Sequence, residues 1–246
     1  MIERDSVVST NDEALALARR GETGPLWVVA RRQTGGRGRS GRGWESVPGN
    51  LHASLLLPVA APAGRLPQLA LVAGIGAFDA ITAVAGEGRP SGLRLKWPND
   101  ILVGSAKLGG ILVESRRSAG HIAAAVIGIG LNVRVVPQLA GRRATSLAVE
   151  GVAVGCERLI EELSQALAGW VARWDDGRGF GEVRSAWLLR AGALGESIVV
   201  NSASGPLAGR YRGIDEEGAL LIADAKGRTV KVSHGDVDLG PPDEFC

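Results

Sequence analysis

Apolar residues recur along this chain with two different periods, and the point where one gives way to the other divides it. Before residue 192, helix-spaced stretches alternate with short continuous apolar runs; after Gly195 the period falls to two. Residues 9–21 carry the clearest helix signal. Ser9, Thr10 and Asn11 offer capping oxygens, Asp12 and Glu13 fill the first turn, Arg19 and Arg20 the last, and Gly21 ends it. Leu-Trp-Val-Val-Ala at 26–30 predicts a short buried strand, and 51–57 another. Residues 66–84 place Leu69, Val72, Ala73, Ile75, Gly76, Ala80 and Ile81 at helical spacing, which predicts a largely buried helix on a sheet. Residues 93–100 read as a strand with an abrupt end, because Pro98 cannot donate to a ladder and Asn99-Asp100 favours a turn. Residues 101–103, a Gly104-Ser105 turn and 107–114 then form a hairpin, and 122–129 a further strand. Helices are expected over 157–174, with Leu159, Ile160, Leu163, Leu167, Trp170 and Val171 on one face, and over 180–189.

Beyond Gly195, four strands are expected near 197–200, 207–214, 219–223 and 229–232, separated by turns at Ser204-Gly205, Glu217-Gly218 and Lys226-Gly227. The fold class is therefore α+β: a mixed, mostly antiparallel sheet with helices packed on it over 1–192, a small all-β unit over 193–240, and a frayed tail at 241–246. A chain of 246 residues with 45% hydrophobic content can bury such a core. The formal net charge of +2 is too small for a general nucleic-acid binder, so basic clusters matter only locally. Cys156 and Cys246 are too few and too distant for a disulfide framework or a thiolate metal site. The charged N-terminus lacks the apolar centre of a signal peptide. No apolar run is read as a membrane span, since glycines and Asp79 interrupt 69–85, and the expected location is cytoplasmic.

The concentrated chemistry lies at 30–44, where Arg31, Arg32, Arg37, Arg39 and Arg42 alternate with Gly35, Gly36, Gly38, Gly41 and Gly43, without one acid. Glycine lets the main chain come close to a ligand, and arginine offers a permanent charge in a fork suited to carboxylate and phosphate. Such a loop reads as one that closes on an anion. Residues 36–41 match G-x-G-x-x-G, but irregular residues and then a strand follow where a dinucleotide site needs a helix. A Walker loop is excluded because no Gly-Lys-Ser/Thr closes the segment. His52, His121 and His234 lack metal-ligand spacing and are read as structural.

Ser9-Thr10-Asn11, the segment Gln33 to Trp44, Lys96-Trp-Pro-Asn-Asp100, Lys107-Leu-Gly-Gly-Ile-Leu-Val-Glu114 and Gly128-Ile-Gly-Leu-Asn132 resemble, in order and spacing, the biotin protein ligases. Residues 212–221 resemble the small barrel that ends bacterial members. The resemblance implies a catalytic fold like that of class II aminoacyl-tRNA synthetases followed by an SH3-like β-barrel. It also implies a two-step reaction: biotin and Mg-ATP give biotinyl-5′-AMP, and a lysine of a biotin carboxyl carrier protein domain takes the biotin. ATP and biotin are then substrates, with Mg²⁺.

By the same resemblance Lys107 and Arg39 are catalytic, meeting the biotin carboxyl and the adenylate phosphate. Ser9, Thr10, Asn11, Gln33, Arg37 and Gly38 hold biotin. Arg42, Trp44, Asn99, Asp100, Gly110 and Asn132 face ATP or the adenylate, with Asp100 the candidate carboxylate for Mg²⁺. Trp97 is read as core, and Arg31 and Arg32 as basic flank. With eight residues ahead of Ser9, no DNA-reading domain is expected; no membrane partner is expected either, and a homodimer is admitted. Lipoate ligases and octanoyltransferases share the catalytic fold but lack the glycine-arginine loop, and remain the alternative. A single-strand-binding module and a biotin sensor without turnover are weaker readings, the first against the near-neutral charge, the second against Lys107.

Overall fold

The computed structural model describes residues 1–118, 121–138, 143–202 and 205–240. The expected tail, Cys246 and the side chain of His121 lie outside the described residues. In chain order the elements are β1 (Ile2–Val7), α1 (Thr10–Arg19), β2 (Leu26–Gln33), β3 (Leu51–Leu57), α2 (Gln68–Ala85), β4 (Leu93–Lys96), β5 (Asp100–Val103), β6 (Ala106–Ser118), β7 (His121–Leu131), α3 (Cys156–Trp174), α4 (Phe180–Leu188), β8 (Ser197–Ser202), β9 (Gly205–Ile214), β10 (Leu220–Ala223), β11 (Thr229–Val232) and β12 (Asp236–Leu239).

The first sheet has the order β1-β2-β3-β7-β6-β5-β4. Its pairings are antiparallel except β1 with β2, so it is mixed and mostly antiparallel as expected. One face carries α1, whose Ala14 and Ala18 pack on Val28, Leu56, Ala124 and Val126. The other carries α2, covered in turn by α3. Gly74 of α2 faces Leu95 and Ile111 of the sheet, and Gly76 sits where α3 comes closest, with the backbone of Leu167 against it. Being apolar on nearly every side, α2 is buried on nearly every side.

By length and composition the segment around α2, 63–88, is apolar enough to cross a membrane, contrary to the expectation from its interruptions. Small residues and one acid lower its hydropathy too little. Here it is packed between sheet and helix, and Asp79 is held by Arg190 at 2.8 Å and by the Trp170 indole at 2.8 Å.

The second sheet, of order β11-β10-β9-β8-β12, is antiparallel throughout and is the small C-terminal β unit. Ile198, Val200, Ile214, Leu220, Ile222 and Val237 are buried in a cluster continuous with the main core. Trp97 joins the two, 5% exposed, its indole donating to the Gly218 carbonyl at 3.0 Å.

Strands β1 and β12 were not foreseen. Both are edge strands, and an edge strand with one neighbour is stabilised by backbone pairing without an alternating apolar pattern.

His52, in the middle of the sheet, is 1% exposed, and neither ring nitrogen makes a hydrogen bond of ordinary geometry. Burial, only partly offset by the nearby Val47 backbone, holds its pKa below 6.5. The unfolded imidazole therefore takes up a proton first, so this contribution is complete above pH 6.5 and is lost as pH falls below it. Urea unfolding of wild type and His52→Leu between pH 5 and 8 should show a constant difference above 6.5. Below it, wild type should lose ground by at most about 1.4 kcal/mol per pH unit; parallel curves throughout would show that the ring is not held neutral.

Candidate functional site

Directly opposed residues on antiparallel strands point to one face. The register therefore lays out a row across six strands on the α1 side: Ala30, His52, Gly130, Gly110, Asp100 and Lys96. The next row runs Val28, Ser54, Gly128 and Leu112. At the centre of both, glycine replaces a side chain and leaves a floor on which other groups lie. A Cβ on Gly128 would collide with the Asn11 carboxamide, and one on Gly130 would come within 2.5 Å of the Trp44 ring. Above this floor is a cavity of about 370 Å³, a small-molecule size.

The cavity brings together Ser9, Thr10, Asn11, Gln33, Arg37, Gly38, Arg39, Arg42, Trp44, Asn99, Asp100, Lys107 and Gly110. Of the residues expected in the site, Asn132 is the one that does not line it. Its amide is spent on the carbonyls of Thr145 (2.9 Å) and Lys107 (3.3 Å), and it is 1% exposed. Its amide thereby tethers the segment carrying Lys107.

One end of the cavity is a closed polar network. Ser9 caps α1 through the Asp12 amide (3.5 Å). The Thr10 backbone N–H and hydroxyl both donate to the Gln33 side-chain oxygen, at 2.8 and 3.1 Å. Ser54 Oγ lies 2.7 Å from Thr10 Oγ1 and 2.6 Å from Asn11 Oδ1, while Asn11 Nδ2 donates to Glu114 at 2.7 Å. Ser54 and Glu114 were not foreseen as site residues. The signal for Ser54 was present, because a lone hydroxyl in a mostly apolar strand must find a partner when buried.

The glycine-arginine loop folds back on itself: Gly38 N–H donates to the Arg42 carbonyl at 2.7 Å and Trp44 N–H to the Gly36 carbonyl at 2.9 Å. Its tip turns through Ser40 (φ 55) and Gly41 (φ 71) in the left-handed region. Arg37 is bidentate to Asp12, at 2.7 and 2.6 Å, which pins the loop to the start of α1. That hydrogen-bonded pair lowers the Asp12 carboxyl and raises the Arg37 guanidinium. Arg31 and Arg32 are exposed, consistent with basic flank.

The opposite end is cationic. Asp100, 8% exposed, lies between Lys107 and Lys96, the latter at 3.0 Å. Burial pushes its carboxyl up, and the two ammonium groups, Lys107 foremost, outweigh burial and hold it below its ordinary value. Lys107 Nζ is also 5.6 Å from the Trp44 ring centre. Asn99 braces this wall, its amide on the Ile111 carbonyl at 2.6 Å. Arg39 and Arg42 reach across to Asp236 of β12, at 3.4 and 2.8 Å.

Residues 5–132 match the family described as the biotin/lipoate A/B protein ligase family, and residues 193–240 match the biotin protein ligase C-terminal domain. A biotin--[acetyl-CoA-carboxylase] ligase of Paracoccus denitrificans is 38% identical, over 90% of this chain and 93% of that protein. One of Mycobacterium tuberculosis is 33% identical, over 93% and 85%. Among solved structures, a biotin protein ligase from Aquifex aeolicus in complex with biotin and ATP has a TM-score of 0.81 at 26% identity, over 97% of this chain and 98% of that one. A biotin protein ligase from Leishmania major in complex with biotinyl-5-AMP has 0.67 at 25%, over 95% and 98%.

The glycine floor makes a direct prediction. Gly128→Ala should displace Asn11 from Ser54 and Glu114 and leave buried groups unpaired, at a cost of about 1–3 kcal/mol in urea unfolding. Unchanged stability would show that the network tolerates the extra carbon.

Proposed function

The chain belongs to the biotin protein ligase family, and from that premise we propose how its cavity carries the reaction. The protein is an ATP-dependent biotin protein ligase. The biotin carboxylate oxygen bonds to the α-phosphorus of ATP as the bond to the bridging oxygen breaks, and pyrophosphate leaves with that electron pair. The neutral amine of a carrier lysine then bonds to the anhydride carbonyl carbon, the carbon–oxygen bond to phosphate breaks, AMP leaves with that electron pair, and the nitrogen gives up one proton to solvent. The carrier is a biotin carboxyl carrier domain of a carboxylase, in keeping with the Paracoccus denitrificans relative's name.

The observation that carries this reading is a cavity with a network of hydroxyls and amides at one end, where the charges are internally paired, and a cluster of cations at the other. The Ser9–Thr10–Asn11 end, with Gln33, supplies donors and acceptors for the ureido head of biotin, held in place by Ser54 beneath it, and Leu112, on the same face as Gly128, supplies apolar wall. Bringing a carboxylate to a phosphate opposes two negative charges, about 4 kcal/mol at 4 Å near a protein surface. Lys107 and Arg39 are placed to offset it, and charge held in advance is worth most on the developing transition state. Arg37 and Gly38 lay the loop over biotin, while Arg42, Trp44 and Gly110 serve the nucleotide side, with Asn99 and Asn132 bracing it. Mg²⁺ arrives on the triphosphate as part of the substrate, where one or two protein carboxylates suffice to hold it, and Asp100 is the carboxylate lining the cavity. We read 1–192 as the catalytic unit and 193–240 as the small one, acting in the cytoplasm, in keeping with few cysteines and a free Cys156.

The relatives and solved structures named above are biotin ligases, which favours biotin over lipoate. The test is to mix the protein with biotin, ATP, Mg²⁺ and a carrier domain: pyrophosphate release and a biotinyl mass gain on one carrier lysine are expected. Absence of both with an active positive control, or turnover with lipoate in place of biotin, would overturn the reading. Lys107→Gln keeps a hydrogen-bonding group beside Asp100 but removes the charge, so adenylation should fall by about 10²–10³ in a protein that still melts cooperatively, at a somewhat lower temperature because Asp100 is left with Lys96 alone. Adenylation within a few fold of wild type would remove Lys107 from the chemistry.

A further inference from the structure

The two loop arginines proposed to meet phosphate are already paired in this structure. Arg42 Nη2 lies 2.8 Å from Asp236 Oδ1, and Arg39 Nη1 lies 3.4 Å from the same oxygen and 3.2 Å from the Gly235 carbonyl. A third cation of the cationic end, Lys96, donates to the Val237 carbonyl at 2.7 Å. All three thus converge on residues 235–237, at the start of the second sheet's edge strand, well over a hundred residues along the chain. An edge strand presents unpaired backbone acceptors, and here Lys96 takes one of them. Two guanidinium groups sharing one carboxylate oxygen is the arrangement they would make on a phosphate oxygen.

Building on the ligase reading, we propose that Asp236 is an internal stand-in for ligand phosphate, a latch from the second sheet that holds Arg39 and Arg42 while the cavity is empty. It gives way when pyrophosphate or the nucleotide phosphates arrive. The geometry gives the sign of the effect. Asp236 compensates two like charges that would otherwise repel across the loop, and burial of Arg39 makes that compensation matter more. Once phosphate is present, the carboxylate is a competing anion. It therefore orders the empty loop and weakens phosphate binding, and filling the cavity loosens the contact between β12 and the loop.

Asp236→Asn and Asp236→Glu in the full chain test this without turnover. Binding of inorganic pyrophosphate, measured by calorimetry, should be about three- to tenfold tighter in Asp236→Asn, the range expected for losing two partly exposed ion pairs. Trypsin cleavage after Arg39 in the ligand-free protein should be faster by a similar factor, and Asp236→Glu should restore both toward wild type. If Asp236→Asn does not fold, Arg42→Gln provides the loop readout from the other side of the pair, with the same acceleration expected after Arg39. Pyrophosphate binding that is unchanged or weaker, or ligand-free cleavage at the wild-type rate, would overturn the latch. Neither measurement needs biotin transfer, so a failed ligation assay and a failed latch are separable.

Discussion

A carboxylate withdrawn from water between two ammonium groups is the constraint on which the rest of this site depends. Asp100 is held at the start of β5 by backbone pairing, and burial alone would drive it neutral. Lys96 on one side and Lys107 on the other keep it ionised, and it in turn keeps two cations close together at the edge of the cavity. Removing either lysine leaves an incompletely paired buried charge; removing Asp100 leaves two like charges facing each other. The arrangement also reaches beyond the first sheet, since Lys96 continues to the Val237 carbonyl of β12. The position of the reactive-end lysine is thus tied to the docking of the small C-terminal sheet.

The same economy governs the floor. Gly-Ile-Gly at 128–130 alternates by the strand period, so both glycines face the cavity while Ile129 turns to the core. Register then places Gly110 beside Gly130, and three missing side chains on two adjacent strands open room for Asn11 and Trp44. Polar and cationic ends are separated along the rows, and α1 covers the apolar remainder with Ala14 and Ala18.

Much of this was legible in the chain because it depends on local chemistry. The capping residues of α1, the period of α2 and α3, the hairpin at Gly104-Ser105 and the glycine-arginine composition each carry their own signal within a few residues. What was not legible depends on partners far along the chain. β1 and β12 are defined by the neighbours they pair with, Ser54 by the helix above it, and Asp236 by arginines nearly two hundred residues earlier. Asn132 shows the converse: a motif position whose neighbours imply ligand contact has its amide taken up by two backbone carbonyls.

The loop joins these two kinds of information. Five arginines without a local acid look unstable in sequence, yet Arg37 finds Asp12 at the start of α1 while Arg39 and Arg42 find Asp236 across the second sheet. Each half of the loop is therefore paired with a different element, the first with the helix that starts the polar end, the second with the edge strand beside the cationic end. The bidentate Arg37–Asp12 pair fixes one geometry, whereas the single oxygen shared by Arg39 and Arg42 holds each of them through one longer contact. A loop anchored firmly at its first half and lightly at its second can release the anion-facing arginines without leaving the cavity, because Trp44 and Gly36 still close its base.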